Sequence, residues 1–235
     1  MILSNNYEKA VIVILLFLFF NQINAQKLEI LNDSVLVDSS YFKICELKIN
    51  SKSKHVFDLY KIIQTPSKVF QTPYIGMQEE RLKAKIDTLK YYLQNKELDG
   101  IGYSFEDYEI YFEKNNLVNF SIHETTYRSP WEGWRFFLMD LTSGKRIESN
   151  LFINPKNILK ICKSKLKRDG FNWRITVKDL KNFQFIKSKN NTVIGLDIIF
   201  FDDTYTNHGY EWTSVHFSWK EIGKYISPLI KNRLK

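Results

Sequence analysis

The sequence predicts an α+β fold: an antiparallel sheet of hairpins with helices packed on one face. Three observations carry this reading. Apolar residues alternate over short runs divided by turn-forming pairs, the period of half-buried strands. Other stretches repeat apolar residues every three or four positions, the period of helices. The strand-like runs also come in clusters rather than alternating singly with helices, which argues against a parallel sheet.

The first strands fall in Lys27 to Ser51, where the pattern is mostly period two. In "YFKICELKI", Phe42, Ile44 and Leu47 nearly alternate while Cys45 and Glu46 are out of phase, so a bulge is expected. "HVFDLYKIIQ" reads as an extension of this sheet, and "TPSKVFQTPYIG", broken by Pro66 and Pro73, as a loop or edge. The next segment changes period. Leu82, Ile86, Leu89 and Leu93 form a stripe, with Lys83, Asp87, Lys90 and Gln94 opposite, so an amphipathic helix is expected from about Gln78 to Asn95. Asp99-Gly100 ends that connection.

"DYEIYFEKNNLVNFSIHETTY" reads as a hairpin turning at Asn115-Asn116, since asparagine tolerates the positive φ of tight turns. "WRFFLMDLTSGKRI" is a second hairpin, turning at Ser143-Gly144. Asn154-Pro155 opens a helix, with asparagine as cap and proline at the first position; it runs to about Arg168 and ends at Asp169-Gly170. "NFQFIKSKNNTVIGLDIIFFDDTY" repeats the hairpin design, with "KNN" again in the turn, and "WTSVHFSW" is a last strand. "SWKE" is a capping box that begins a C-terminal helix interrupted near Pro228.

The N-terminus bears on location. Lys9 precedes the apolar run "AVIVILLFLFF", and "INAQ" follows it. A short apolar core with a small residue before the cut is the pattern of a secretory signal, cleaved between Ala25 and Gln26. Residues 1–25 are therefore expected to be a signal peptide, and 26–235 a single exported domain, periplasmic or secreted. No stable membrane span is expected after cleavage, since a span takes about 20 apolar residues. The net charge of +8 favours acidic partners, whereas export disfavours nucleic acid. The lysines of "KICKSKLKR" read as a solvated helix face. Cys45 and Cys162 are both compatible with a disulfide in an exported chain, but free thiols are the favoured expectation.

The order of parts resembles an exported domain family of unknown function, the outer domain of RsiV-type anti-sigma factors. The likeness covers about 78–226 and rests on Asp140, Leu141, Thr142, Gly144, Lys145, Leu151 and Phe152 in "MDLTSGKRIESNLF", with "NTVIGLDIIFFDD" and "SVHFSWKEIGKYI" near the end. In place of that family's Gly-Gly-Ala-His loop stands "SPWEGW", which keeps only Gly133. Nine residues precede the apolar run, so no sigma-binding segment is expected before it. The resemblance implies an extracytoplasmic binding domain, and in the anti-sigma branch the partner is lysozyme. A basic lysozyme would meet like charge on this chain.

No metal spacing, phosphate loop or nucleophile motif stands out, so no cofactor and no catalytic group is expected. The histidines read as hydrogen-bonded or exposed sheet residues. Candidate binding residues are Tyr127, Trp131, Glu132, Tyr205 and Tyr210, aromatic and acidic positions around two loops that could share one rim. Trp134 and Trp212 are expected to begin strands and anchor the core. The expected function is non-enzymatic recognition of a cell-envelope protein or glycan, or of a secreted protein. The alternative is a hydrolase of envelope glycans using two of Glu124, Glu132, Asp202, Asp203 and Glu211. A third reading is a structural envelope protein without a discrete ligand.

Overall fold

The computed structural model describes residues 27–64, 78–130, 132–147, 149–202 and 211–234. Residues 1–25, expected as a signal peptide, and the segment holding Pro66 and Pro73, expected as a loop or edge, lie outside the described residues. Among the described residues no helix is long and apolar enough to cross a membrane.

The fold is α+β; among the described residues all strand pairing is antiparallel, and the hairpins are divided among three sheets. The first is a hairpin of β1 (Leu28–Val37) and β2 (Ser40–Ile49). Its turn residues Asp38 and Ser39 both have positive φ, which matches the twist of a two-residue hairpin. The second sheet orders β3 (Ser104–Lys114), β4 (Leu117–Thr126), β5 (Glu132–Asp140) and the short β6 (Lys145–Arg146). The third orders β7 (Phe183–Lys187), β8 (Val193–Phe201) and β9 (Trp212–Ser218). The turns fall where the sequence puts them: Asn115 and Asn116 have φ of 51° and 60°, and Gly144 has 68°. A Cβ on Gly144 would stand 2.4 Å from the Cβ of His55, so both φ and close approach select glycine there.

One segment differs from expectation. "HVFDLYKIIQ" does not extend the sheet but forms helix α1 (Val56–Ile63). Its buried residues Leu59, Tyr60 and Ile63 are spaced as one helical face, and that period overrides the β-prone composition. The bulge expected around Cys45 is also absent, since β1 and β2 pair without a register break. Cys45 and Glu46 are both buried because the hairpin is covered on both faces. Cys45 and Leu47 join the core beneath the second sheet, while Ile44 and Glu46 turn to helix α2 (Gln78–Gln94).

The central strand β4 is buried on both faces from Leu117 to Ile122. Val118, Phe120 and Ile122 pack with the β1–β2 hairpin and α1. Leu117 packs on the other side with the third sheet and helix α4 (Pro155–Arg168), which follows the one-turn α3 (Leu98–Ile101). Between the two cores stands Asn119, fully buried. Its Nδ2 donates to Phe137 O at 2.8 Å and to Phe183 O at 3.2 Å, and its Oδ1 accepts from Phe185 N at 2.7 Å. A side-chain amide thus takes the place of a peptide unit and joins β7 to the second sheet.

Helix α2 places Leu89 fully in a core, with Ile86 buried beside it and Leu82 and Leu93 partly buried. The same helix buries Arg81 and Lys85. Glu46 accepts from Arg81 Nε and Lys85 Nζ, each at 2.7 Å. Lys85 Nζ also reaches Glu106 Oε2 at 2.7 Å and Cys45 O at 2.6 Å. Tyr108 OH donates to the same Glu106 oxygen at 2.9 Å, and Arg135 lies 3.6 Å from the other one while pairing with Glu124. Three anions face three cations, so the group is charge-balanced where single burial of either sign would be costly.

Helix α4 is capped by Asn154, whose Oδ1 accepts from Asn157 N at 3.2 Å, and Pro155 begins it. Ile158, Cys162 and Leu166 face the core, which leaves most of its lysines on the solvated side. Cys45 and Cys162 are free thiols in separate cores. The capping box at Ser218 starts α5 (Trp219–Ile222), and Pro228 begins a separate α6 (Pro228–Arg233). Arg233 bonds Asn115 O and Asp140 Oδ1, which ties the C-terminus to the second sheet.

Two outcomes follow from these buried polar groups. Asn119→Ala strands a β7 N–H and carbonyl in the core, each worth about 1–3 kcal/mol. Urea denaturation should therefore show a loss of at least about 2 kcal/mol with no change in m-value. The second concerns acid. Burial opposes ionisation of Glu106, but Lys85, Arg81 and Tyr108 outweigh it and hold the carboxyl at about 2. Because the folded value lies below the unfolded one, its contribution is complete above pH 4.5 and is lost as pH falls toward 2. That contribution is about 3 kcal/mol at most. Glu106→Gln should be less stable than the parent at neutral pH, and the gap between their stability curves should narrow over that window. A constant gap would assign the acid sensitivity to other groups.

Candidate functional site

Two surfaces at one end of the second sheet gather polar and aromatic groups. The first arises where strands β5 and β9 start. Register pairs His123 with Trp134 across β4 and β5, and Glu132 with Thr125 two residues along the same face. The imidazole stacks on the Trp134 indole with centroids 4.1 Å apart, and its Nε2 lies 3.1 Å from Glu132 Oε2. Trp134 then meets the third sheet: its ring lies 6.3 Å from Phe201 at the end of β8 and 6.4 Å from Trp212 at the start of β9. Phe201 also approaches Phe136 at 6.4 Å, so the row of rings crosses from one sheet to the other.

Trp212 does not anchor the core as expected; it is 55% exposed. The cause is strand alternation. Trp212, paired with Phe201 at the last rung of the β8–β9 ladder, shares the exposed face of β9 with Ser214 and His216, opposite the core-facing Val215 and Phe217. Trp134 is half-buried beneath it. Further along β9, His216 is exposed and its Nδ1 lies 2.8 Å from Asp197 Oδ1.

The second surface lies where β4 runs out beside the β1–β2 turn. It is a groove of about 440 Å³ whose lining includes Asp38, Tyr41, Phe42, Lys43, Asp107 and Tyr127. Tyr127 OH donates to Asp38 Oδ2 at 2.5 Å. Arg128 bonds the same oxygen at 2.8 Å and grips Asp99 through Nη1 at 2.9 and 3.1 Å. The Asp38 bond raises the Tyr127 phenol above its usual value. Phe42 stacks on Phe105 at 4.9 Å and receives the edge of Tyr127 at 5.8 Å. Lys43 Nζ lies 3.4 Å from Asp107 Oδ1, which also accepts from the Cys45 thiol at 3.5 Å; burial pushes that thiol up.

Of the sequence candidates, Tyr127 and Glu132 thus stand on separate surfaces, one in the groove and one beside His123. Trp131, Tyr205 and Tyr210 lie outside the described residues, as does Asp203. Glu124 is paired with Arg135, and Asp202 N bonds Glu211 O at 2.8 Å as a continuation of the β8–β9 ladder. Sequence reading missed His123, Phe201, Asp38 and Tyr41. For His123 a signal was present: strand alternation puts it on the face opposite Ile122. Among the described residues no group of three or more metal-ligating side chains is found.

No family model matches the chain, and no curated protein matches it by sequence. Solved structures do. One is a DUF3298 family member from Bacteroides fragilis NCTC 9343, with a TM-score of 0.55 at 11% identity, covering 88% of this chain and 97% of that one. Another is a DUF3298 family protein from Pseudomonas aeruginosa PAO1, with a TM-score of 0.50 at 12% identity, covering 87% of this chain and 96% of that one. The described arrangement of hairpins and helices is therefore similar, over nearly its whole length, to the fold of these DUF3298 proteins.

Proposed function

We propose that this chain is an exported, non-enzymatic binding domain of the DUF3298 type, related to the outer domain of RsiV-type anti-sigma factors. Its recognition surface is the aromatic row at the start of β5 and β9, and its partner is a cell-envelope component or a secreted protein. The observation that carries the reading is Trp212, 55% exposed and held 6.4 Å from a Trp134 that is itself stacked on His123. A ring already ordered by neighbours loses little entropy on contact, which suits a binding anchor. The +8 charge adds attraction to acidic envelope polymers and repulsion from a basic lysozyme.

Binding is favoured over glycan hydrolysis by what the carboxylates already do. Glu124 is taken up by Arg135 and Glu132 by His123. A hydrolase instead needs two carboxyls about 5–10 Å apart with a substrate between them.

The test uses the secreted chain immobilised and exposed to envelope polymers and secreted proteins, lysozyme among them. Trp212→Ala should leave urea stability within about 0.5 kcal/mol, as exposed substitutions do. It should weaken the retained component at least tenfold, or about 1.4 kcal/mol. Leu229→Ala, at an 80% exposed position on α6, serves as the control and should change neither. Equal retention by Trp212→Ala and the parent would remove this surface from recognition. Release of new reducing ends from the glycan would favour the hydrolase.

A further inference from the structure

We infer that the groove beside the β1–β2 turn is a second binding site, and that its ligand is a neutral saccharide. This rests on the binding reading above but on separate residues.

The aromatic content comes first. Tyr41 is 77% exposed on the edge of the groove, the most open aromatic ring among the described large hydrophobic residues. Phe42 and Tyr127 line the same groove: Phe42 is stacked on Phe105 and meets the edge of Tyr127, while Arg128 lies 5.3 Å from the Tyr127 ring. The open Tyr41 ring provides a flat apolar surface for the C–H face of a pyranose.

The polar content then selects the class. Two carboxylates, Asp38 and Asp107, and two cations, Lys43 and Arg128, line the same groove. The charges cancel, so no net field favours an anion or a cation. Asp38 already accepts from Tyr127 and Arg128, and Asp107 from Lys43, yet each carboxylate has further lone pairs to offer. Adjacent acceptors and donors of this kind match vicinal hydroxyls, each of which both donates and accepts. A charged ligand would instead have to displace one of these pairs.

Preorganisation is the last support. The left-handed backbone at Asp38, Ser39 and Arg128 is fixed by the two-residue turn and by the Arg128 bonds to Asp38 and Asp99. Asp38, Tyr127 and Arg128 are therefore bonded to one another before a ligand arrives, which lowers the entropic cost of binding. The volume of about 440 Å³ lies in the range of ligand sites, roughly 300–1,000 Å³.

The test is a titration of the isotope-labelled secreted chain with the N-acetylglucosamine trimer and with cellotriose, to about 10 mM, since isolated sugars bind in the millimolar range where the free energy is about 4 kcal/mol. Amide shifts should be confined to Val37–Lys43, Phe105–Asp107 and Thr125–Arg128 for at least one of the two. Tyr41→Ala should weaken that binding at least about tenfold and leave the rest of the spectrum in place. Tyr127→Phe, which keeps the ring and removes the hydroxyl, should weaken it severalfold. Affinity should change less than about twofold when salt rises from about 50 to 500 mM, because the ligand is uncharged. Absence of shifts with both sugars overturns the inference. So does a neutral extended peptide that shifts the same amides at lower concentration. Trp212→Ala separates the two readings. Sugar binding retained while the envelope partner is lost leaves both standing, whereas partner retention by the parent without sugar shifts removes only the groove.

Discussion

The fold depends on one strand that has no solvent side. β4 is buried on both faces from Leu117 to Ile122, and everything else is arranged to cover it. A strand in that position alternates between two cores, and at Asn119 the alternation delivers an amide rather than an apolar group. The amide bonds Phe183 O and Phe185 N, so the third sheet is held to the second by hydrogen bonds as well as by packing. An apolar residue there would leave β7 with an unpaired N–H and carbonyl in the interior, where each is costly. With the third sheet held in this way, Trp212 at the start of β9 lies 6.4 Å from Trp134 on β5.

The opposite face is closed by different means. The β1–β2 hairpin and α2 meet through Glu46, Arg81, Lys85 and Glu106 as well as through Ile86 and Leu89. Buried charges of this kind add little net stability compared with apolar groups of the same size, but they admit few alternative arrangements. Lys85 bonds Glu46, Glu106 and the Cys45 carbonyl together, so the helix can sit in one register only if all three acceptors are in place. The network thus specifies how the helix docks, while the apolar contacts supply most of the driving force.

Both candidate surfaces are consequences of this layering. Each lies where a strand leaves its core: Trp212 at the last rung of the β8–β9 ladder, Tyr127 one residue past β4. At such points a side chain keeps the support of ordered neighbours but loses its cover. The aromatic row is shared by two sheets and the groove by a turn and a strand end, so neither surface belongs to a single hairpin.

The sequence by itself determined the local structure. The α+β class, the Asn115-Asn116 and Ser143-Gly144 turns, the Asn154-Pro155 start of α4, the Ser218 capping box and the stripe of α2 were all legible, because each follows from backbone preference or periodicity within a few residues. α1 was misread as strand because its run of Val, Phe, Tyr and Ile is β-prone while its spacing is helical, and the short length let composition dominate. Tertiary structure alone decided what lies outside that range. It divided the hairpins into three sheets, covered β2 on both sides so that Cys45 and Glu46 are both buried, and turned Arg81 and Lys85 inward on a helix whose apolar stripe pointed only to Leu and Ile. It also left Trp212 exposed and set Tyr127 against Asp38, 89 positions away in the chain. Side-chain pairing across such distances is set by which faces meet, and neither period nor propensity carries that information.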